Sequence, residues 1–234
     1  MILAAGKGTR LRPFTDHMPK ALFPVKGIPL LEHLIRKMIS FDVNEIIINV
    51  HHFAEKIIEF LENKKHFGIR IEVSEEGMLL ETGGGLKKAQ WFFDEDKSFL
   101  VHNVDIISQV NFNDLLRVHD ANKHKATLAV SERKTSRYLL FDDKLFLKGW
   151  QNLQSGEQKL FSSSSLRPLA FSGIQILSPA AFNYFPEEDV FSLTDFYLGI
   201  CQKTNIGAFL HDEKGWYDVG KMADINPFSL PEKT

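Results

Sequence analysis

Cysteine is almost absent from this chain: Cys201 is the only one in 234 residues. A lone thiol cannot close an internal disulfide, so a reducing, cytoplasmic setting is expected. Long apolar runs are missing as well. Nothing approaches the roughly eighteen apolar residues of a membrane span, and no basic segment precedes an apolar stretch as in a signal peptide. There is no excess of either charge: the formal net charge is −2. A nucleic-acid-binding domain is normally basic, so no nucleic-acid partner is expected. The pairs His51-His52 and His119…His124 lack a third or fourth partner at zinc-ligand spacing, and read as surface or packing residues. No nucleophile elbow is present, which removes acyl-enzyme chemistry. The twenty phenylalanines read as core rather than as a base-stacking platform. No repeat and no clear linker interrupts the chain, so residues 1–234 are expected to form one domain.

What is present begins at once. Met1-Ile2-Leu3-Ala4-Ala5 is a short apolar run, and Gly6-Lys7-Gly8-Thr9-Arg10-Leu11-Arg12-Pro13 follows it. Further on come Pro19-Lys20 and Ala21-Leu22-Phe23-Pro24-Val25. A buried strand thus runs into a glycine-rich turn, where backbone N–H groups can approach an anion closely. Two arginines and a lysine gather near the turn and suggest a phosphate cradle. It is not the dinucleotide fingerprint, because Leu11 stands where G-x-G-x-x-G requires glycine, and it is not a P-loop. The plain alternative is a tight turn carrying solvated basic residues.

The rest of the chain alternates strand and helix. Pro29–Phe41 and Ala54–Lys64 show apolar residues at helical spacing, and Glu45–Val50 is a short buried strand. Ile69–Ser74 alternates as a strand, helix resumes from about Gly84 to Phe93, and Phe99–Val104 is a buried strand ending at Asp105. Such alternation implies right-handed crossovers and a largely parallel sheet. Helix over Phe112–Lys123 and strand over Ala126–Glu132 follow. From Tyr138 the pattern shifts to short strands, Tyr138–Phe141 and Lys144–Trp150, split by the hairpin signal Asp142-Asp143. Gln151–Arg167 is polar around Ser162-Ser163-Ser164-Ser165 and reads as a surface loop or as a mobile lid. Leu169–Leu177 returns as a strand, Pro179–Phe185 and Ser192–Thr204 as helices, and Ile206–His211 as a strand.

The N-terminal run L-A-A-G-x-G-T-R-L-R-P…P-K resembles the signature of the sugar-1-phosphate nucleotidyltransferases, which make nucleotide sugars from a nucleoside triphosphate. Three later stretches extend the resemblance. Asp105 ends an apolar strand, where the family carries a magnesium-holding aspartate after glycine; here Val104 precedes it. Trp216-Tyr217-Asp218-Val219-Gly220 is similar to the family's W-x-D-V-G-T, whose aspartate is the other magnesium ligand; here Lys221 replaces threonine. Leu80-Glu81-Thr82-Gly83-Gly84-Gly85 is similar to a segment of the N-acetylmuramate-1-phosphate uridylyltransferase branch, and Phe171-Ser172-Gly173-Ile174 to a strand beside the sugar. Asp105 as a helix cap, Asp218 as a loop residue, and the glycines as a plain helix start are the competing readings.

The resemblance implies a three-layer α/β/α sandwich with a mostly parallel, Rossmann-like central sheet. It implies a nucleotide site from Leu3, Ala4, Ala5, Gly6, Gly8, Thr9, Glu81 and Thr82, with the glycines pressed flat against base or ribose. Arg10 and the loop amides would hold the β- and γ-phosphates, and Lys20 would neutralise charge on the α-phosphate. Asn103 and Gly173 would contact the sugar phosphate. Mg²⁺ would sit on Asp105 and Asp218. The expected substrates are UTP and N-acetylmuramate-1-phosphate, as in cell-wall recycling. Guanylyl or cytidylyl transfer on the same fold, or an inactive nucleotide-binding subunit, remain the alternatives. With fourteen residues after Gly220, no appended β-helix or acyltransferase module is expected.

Overall fold

The computed structural model describes residues 1–221. In chain order its elements are β1 (Ile2–Leu3), β2 (Pro24–Val25), β3 (Ile28–Pro29), α1 (Leu30–Ile39), β4 (Glu45–Val50), α2 (Ala54–Asn63), β5 (Arg70–Glu75), α3 (Glu81–Lys88), β6 (Phe99–Asn103), β7 (Ile106–Ile107), α4 (Phe112–Asn122), β8 (Ala126–Ser131), β9 (Arg137–Phe141), β10 (Leu147–Asn152), β11 (Gln158–Leu160), β12 (Arg167–Leu177), α5 (Leu193–Ile200), β13 (Ile206–Leu210) and β14 (Tyr217–Asp218). Two compact units emerge. The first holds Met1–Phe92, His102–Gln109 and the described residues from Lys214; the second holds Phe93–Val101 and Val110–Glu213.

The first unit is built on parallel strands in the order β6-β1-β4-β5. Ile2 pairs with Ile48 on one side and His102 on the other, and Ile46 pairs with Ile71. A strand flanked on both sides and covered on both faces reads as a nearly continuous apolar run. Ile46, Ile47, Ile48 and Val50 are accordingly fully buried, and so is Ile2. Helix α1 buries Leu30, Leu31, Leu34, Ile35 and Met38 along one stripe, as the helical spacing dictates. Lys37 leaves that stripe, and its Nζ donates to Ser108 O at 2.7 Å, fastening α1 to the turn after β7. Burial lowers the Lys37 ammonium to about 8.

The second unit is mixed, and the hairpin read at Asp142-Asp143 is present as antiparallel β9 and β10. Strand β8 is parallel to β13 but antiparallel to β12, and β9, β10 and β11 pair antiparallel. Short connections between β9, β10 and β11 dictate this, because only a long crossover can join parallel neighbours. The polar stretch 151–167 is not wholly a loop: Gln158–Leu160 pairs with Gly149–Gln151 as β11. Asn111 caps α4, its side-chain oxygen accepting from Asn113 N at 3.0 Å and Asp114 N at 3.2 Å. No helix among the described residues is long and apolar enough to cross a membrane.

Two histidines are packing residues, as read from the sequence. His119 Nδ1 and His124 Nδ1 each lie 2.9 Å from the buried Thr127 Oγ1. One hydroxyl can donate to one ring and accept from the other. Burial lowers His119 from 6.5 to about 4 and lowers His124 in the same direction. The unfolded chain therefore takes up protons below about pH 6.5 that the folded chain refuses. Stability should be level above that pH and fall as pH drops towards about 4, on the order of 2–3 kcal/mol from His119 alone. Urea unfolding of His119→Gln against the parent across pH 4–8 measures it; equal slopes for both proteins would refute the assignment.

Candidate active site

Where β1 ends, the chain turns out of the sheet and leaves a cavity of about 210 Å³. It opens at the carboxyl ends of the parallel strands, where open α/β sheets bind ligands. Leu3, Ala4, Ala5 and Gly6 from the end of β1 line it, with Asn103, Val104 and Asp105 from the end of β6. Lys20, Glu81 and Thr82 also line it, together with Asn49, Glu76 and Leu79, which the sequence reading does not include. Ala4 and Ala5 are buried and small, so backbone rather than side chain faces the space.

Asn49 and Glu76 form a buried polar brace behind this wall. Each is 2% exposed. Ala4 N–H has no ladder partner and donates to Asn49 Oδ1 at 2.8 Å. Asn49 Nδ2 donates to Glu76 Oε1 at 2.7 Å, and Leu80 N–H donates to Glu76 Oε2 at 3.1 Å. One acid thus ties the exit of β1 to the entry of α3. Helix α3 starts earlier than expected, at Glu81, so the glycines lie inside it rather than before it. Gly83, Gly84 and Gly85 are buried there. Gly85 gives its flat face to the protein itself: a Cβ would lie 2.6 Å from both Asn49 Nδ2 and Glu76 Oε1. This replaces the expectation that Gly85 presses against a ligand. Glu81 sits at φ 61, a left-handed backbone that non-glycine residues hold only under constraint.

The glycine-rich turn is knotted around Lys20. Gly8 adopts φ 64, and its carbonyl accepts from the buried Thr15 Oγ1 at 2.9 Å. A Cβ on Gly8 would lie 2.9 Å from Lys20 Cβ. Thr9 and Arg10 form a short 3-10 turn with Leu11, and Arg10 is exposed. Gly8, Thr9 and Arg10 do not line the cavity. Lys20 Nζ forms an ion pair with Asp105 Oδ2, the lysine 13% and the aspartate 19% exposed.

The W-x-D-V-G stretch is brought to the same place. Asp218 on β14 pairs with Ile106 on β7, one residue beyond Asp105, and Val219 N–H donates to Asp105 O at 3.0 Å. The two aspartates therefore stand on adjacent, hydrogen-bonded backbone. Carboxylate oxygens are the donors that a hard divalent cation takes, often one or two beside substrate phosphates. The pair suits such an ion, although no group of three or more His, Cys, Asp or Glu gathers among the described residues. Gly173 belongs to the second unit, at φ 74 on β12 where the register with β8 shifts between Phe171 and Gln175.

The chain belongs to the nucleotidyl transferase family, whose model matches residues 1–139. The Leu3–Lys20 signature lies inside that match. It is 30% identical to a mannose-1-phosphate guanyltransferase of Gibberella zeae over 96% of this chain and 61% of that protein. It is 41% identical over 110 residues to an N-acetylmuramate alpha-1-phosphate uridylyltransferase of Caulobacter vibrioides, covering 46% of this chain and 45% of that one. The chain spans about six-tenths of the first curated relative's length, and the match to the second covers under half of each protein. In fold it resembles the inositol-1-phosphate CTP transferase from T. maritima, with a TM-score of 0.75 at 15% identity over 96% of this chain and 90% of that one.

The brace makes a prediction with an informative sign. Glycine to alanine inside a helix ordinarily stabilises by about 0.5–1 kcal/mol. Gly85→Ala should instead destabilise by about 1–3 kcal/mol, because the new methyl must displace Asn49 or Glu76. Chemical denaturation measures it, and a variant as stable as the parent or more so would show that the brace yields freely.

Proposed function

We propose that this chain catalyses nucleotidyl transfer to a sugar-1-phosphate, with residues 1–234 acting as one nucleotidyltransferase domain. The observation that carries the reading is the convergence of Lys20, Asp105 and the Asp218 backbone beside the cavity at the end of β1. A sugar-phosphate oxygen attacks the α-phosphorus of the triphosphate, a new P–O bond forms, and the bond to pyrophosphate breaks. The attacking oxygen is already anionic, so no protein base is needed. Catalysis is then positioning and charge stabilisation. Amides from Gly6 to Thr9 and the Arg10 guanidinium hold the outer phosphates. The Lys20 ammonium meets the charge that develops on the α-phosphate, and Asn103 contacts the sugar phosphate. Asp105 and Asp218 would hold Mg²⁺, which when bound would supply neutralisation of phosphate charge.

For the base, the reading is UTP. The likeness of Leu80–Gly85 to the uridylyltransferase branch and the 41% identity to the Caulobacter protein support it. Through Asn49 and Leu80, Glu76 fixes the shape of the wall that a base would meet, without itself being free to read the base. N-acetylmuramate-1-phosphate is the sugar this branch implies, with a cytoplasmic role in cell-wall recycling. A second reading, an inactive nucleotide-binding subunit, is favoured by one observation: Val104 lines the cavity where the family has glycine.

Pyrophosphate release with UTP, GTP, CTP, ATP and dTTP, each against a panel of sugar-1-phosphates, separates these readings. UTP should give the fastest turnover. A GDP- or CDP-sugar as dominant product would overturn the base assignment, and nucleotide binding without turnover would favour the inactive subunit. Asp218→Asn should abolish turnover without unfolding the protein, and full activity in Mg²⁺ would remove Asp218 from the ligand set. Lys20→Ala should lower kcat roughly 10²-fold or more, with a smaller effect on KM for the triphosphate. A raised KM at unchanged kcat would make Lys20 a uniform binder instead.

A further inference from the structure

Lys20 is enclosed by residues from separated parts of the chain. Gly8 leaves room for its Cβ, and Gly220 leaves room for its Nζ: a Cβ on Gly220 would collide with Nζ and would also lie 3.3 Å from Asp105 Oδ2. Beyond Gly220 the ammonium meets Asp105 Oδ2. The backbone carrying Gly220 is itself fastened to Asp105, through Val219 N–H to the aspartate carbonyl at 3.0 Å. Two glycines that read as parts of separate ligand motifs therefore clear the track of one lysine.

Among the described residues, Lys20 is the cation in ion-pair contact with Asp105. An ammonium and a divalent cation repel strongly when both press on one partly buried carboxylate oxygen. We propose that Lys20 is a displaceable counter-ion: it holds Asp105 in the ligand-free protein, and a divalent cation reaches that carboxylate only by driving the lysine off it. The proposal rests on reading Asp105 as a cation ligand. A flexible four-carbon stem ending in a point charge suits a side chain with two stations. Loading the site then releases the ammonium towards the incoming phosphates, so cation entry and lysine release are one coupled event. The coupling is reciprocal, and whatever weakens the Lys20–Asp105 contact strengthens cation binding by the same factor.

The test is Mn²⁺ binding to the nucleotide-free protein, followed by electron paramagnetic resonance and calorimetry. Lys20→Met should bind Mn²⁺ roughly tenfold tighter or more, the scale of a partly buried ion pair. Gly220→Ala keeps the charge but pushes Nζ from its place, so it should also tighten binding, though by less than Lys20→Met because its methyl crowds Asp105 Oδ2 as well. Combined with Lys20→Met it should add nothing, because both act through the same contact. Asp105→Asn should remove the site in every background. If Lys20→Met and Gly220→Ala bind no tighter than the parent while Asp105→Asn still loses the ion, the counter-ion proposal falls and the cation site stands. If Asp105→Asn leaves Mn²⁺ binding unchanged, the reading of Asp105 falls and the proposal with it.

Discussion

The exit of the chain from β1 is the constraint on which the candidate site depends. Only Ile2 and Leu3 pair in the sheet, between β4 and β6. After Leu3 the backbone must leave the ladder while still buried, and a buried N–H without a partner is costly. The side chain of Asn49, at the end of the neighbouring strand, supplies the missing acceptor for Ala4 at 2.8 Å. That single bond lets the chain peel away and leave a cavity at the end of β1. Asn49 is in turn held by Glu76, and Glu76 by the first turn before α3. The wall, the brace and the helix start form one connected polar system, so the loss of any member is felt by the others.

The glycines show how one residue type serves different ends. Gly8 is left-handed and crowded by Lys20, whereas Gly85 is helical and crowded by Asn49 and Glu76. In both cases the close neighbour is the protein's own side chain. A glycine-rich stretch that reads as a surface for a ligand is thus also an internal packing device. Its presence beside the cavity follows from the need to bring a lysine, an asparagine and a glutamate close to the backbone.

Much of the fold is legible in the sequence. The runs Ile46-Ile47-Ile48 and Phe99-Leu100-Val101 announce strands, and the spacing of Leu30, Leu31, Leu34, Ile35 and Met38 announces α1. The signature at Leu3–Lys20 announces the family. Asn49 and Glu76 are not legible, because a single polar residue at a strand end makes no periodic pattern. Their partners lie 45 and 27 residues apart along the chain, beyond any local signal. The start of α3 was misplaced because glycine is a poor helix former, and here packing against the brace overrides that preference. Strand β11 was missed because Gln158, Lys159 and Leu160 are all exposed and show no alternation. The antiparallel pairing of the second unit follows from connection lengths rather than from composition.

The charge pattern of the cavity bears on how an anionic substrate enters. Its lining carries three carboxylates, on Glu76, Glu81 and Asp105, against one ammonium, on Lys20. A free triphosphate would meet a wall with more acid than base. Exposed Arg10 and Lys7 stand on the neighbouring turn, outside the lining, where they can draw an anion in without neutralising the interior. The acids inside are balanced only if positive charge arrives with the substrate. A triphosphate that enters complexed to a divalent cation meets this condition. The Lys20–Asp105 contact keeps the most central acid neutralised until it does. On the proposed function, this arrangement would favour the cation-bound form of the nucleotide before any contact reads the base.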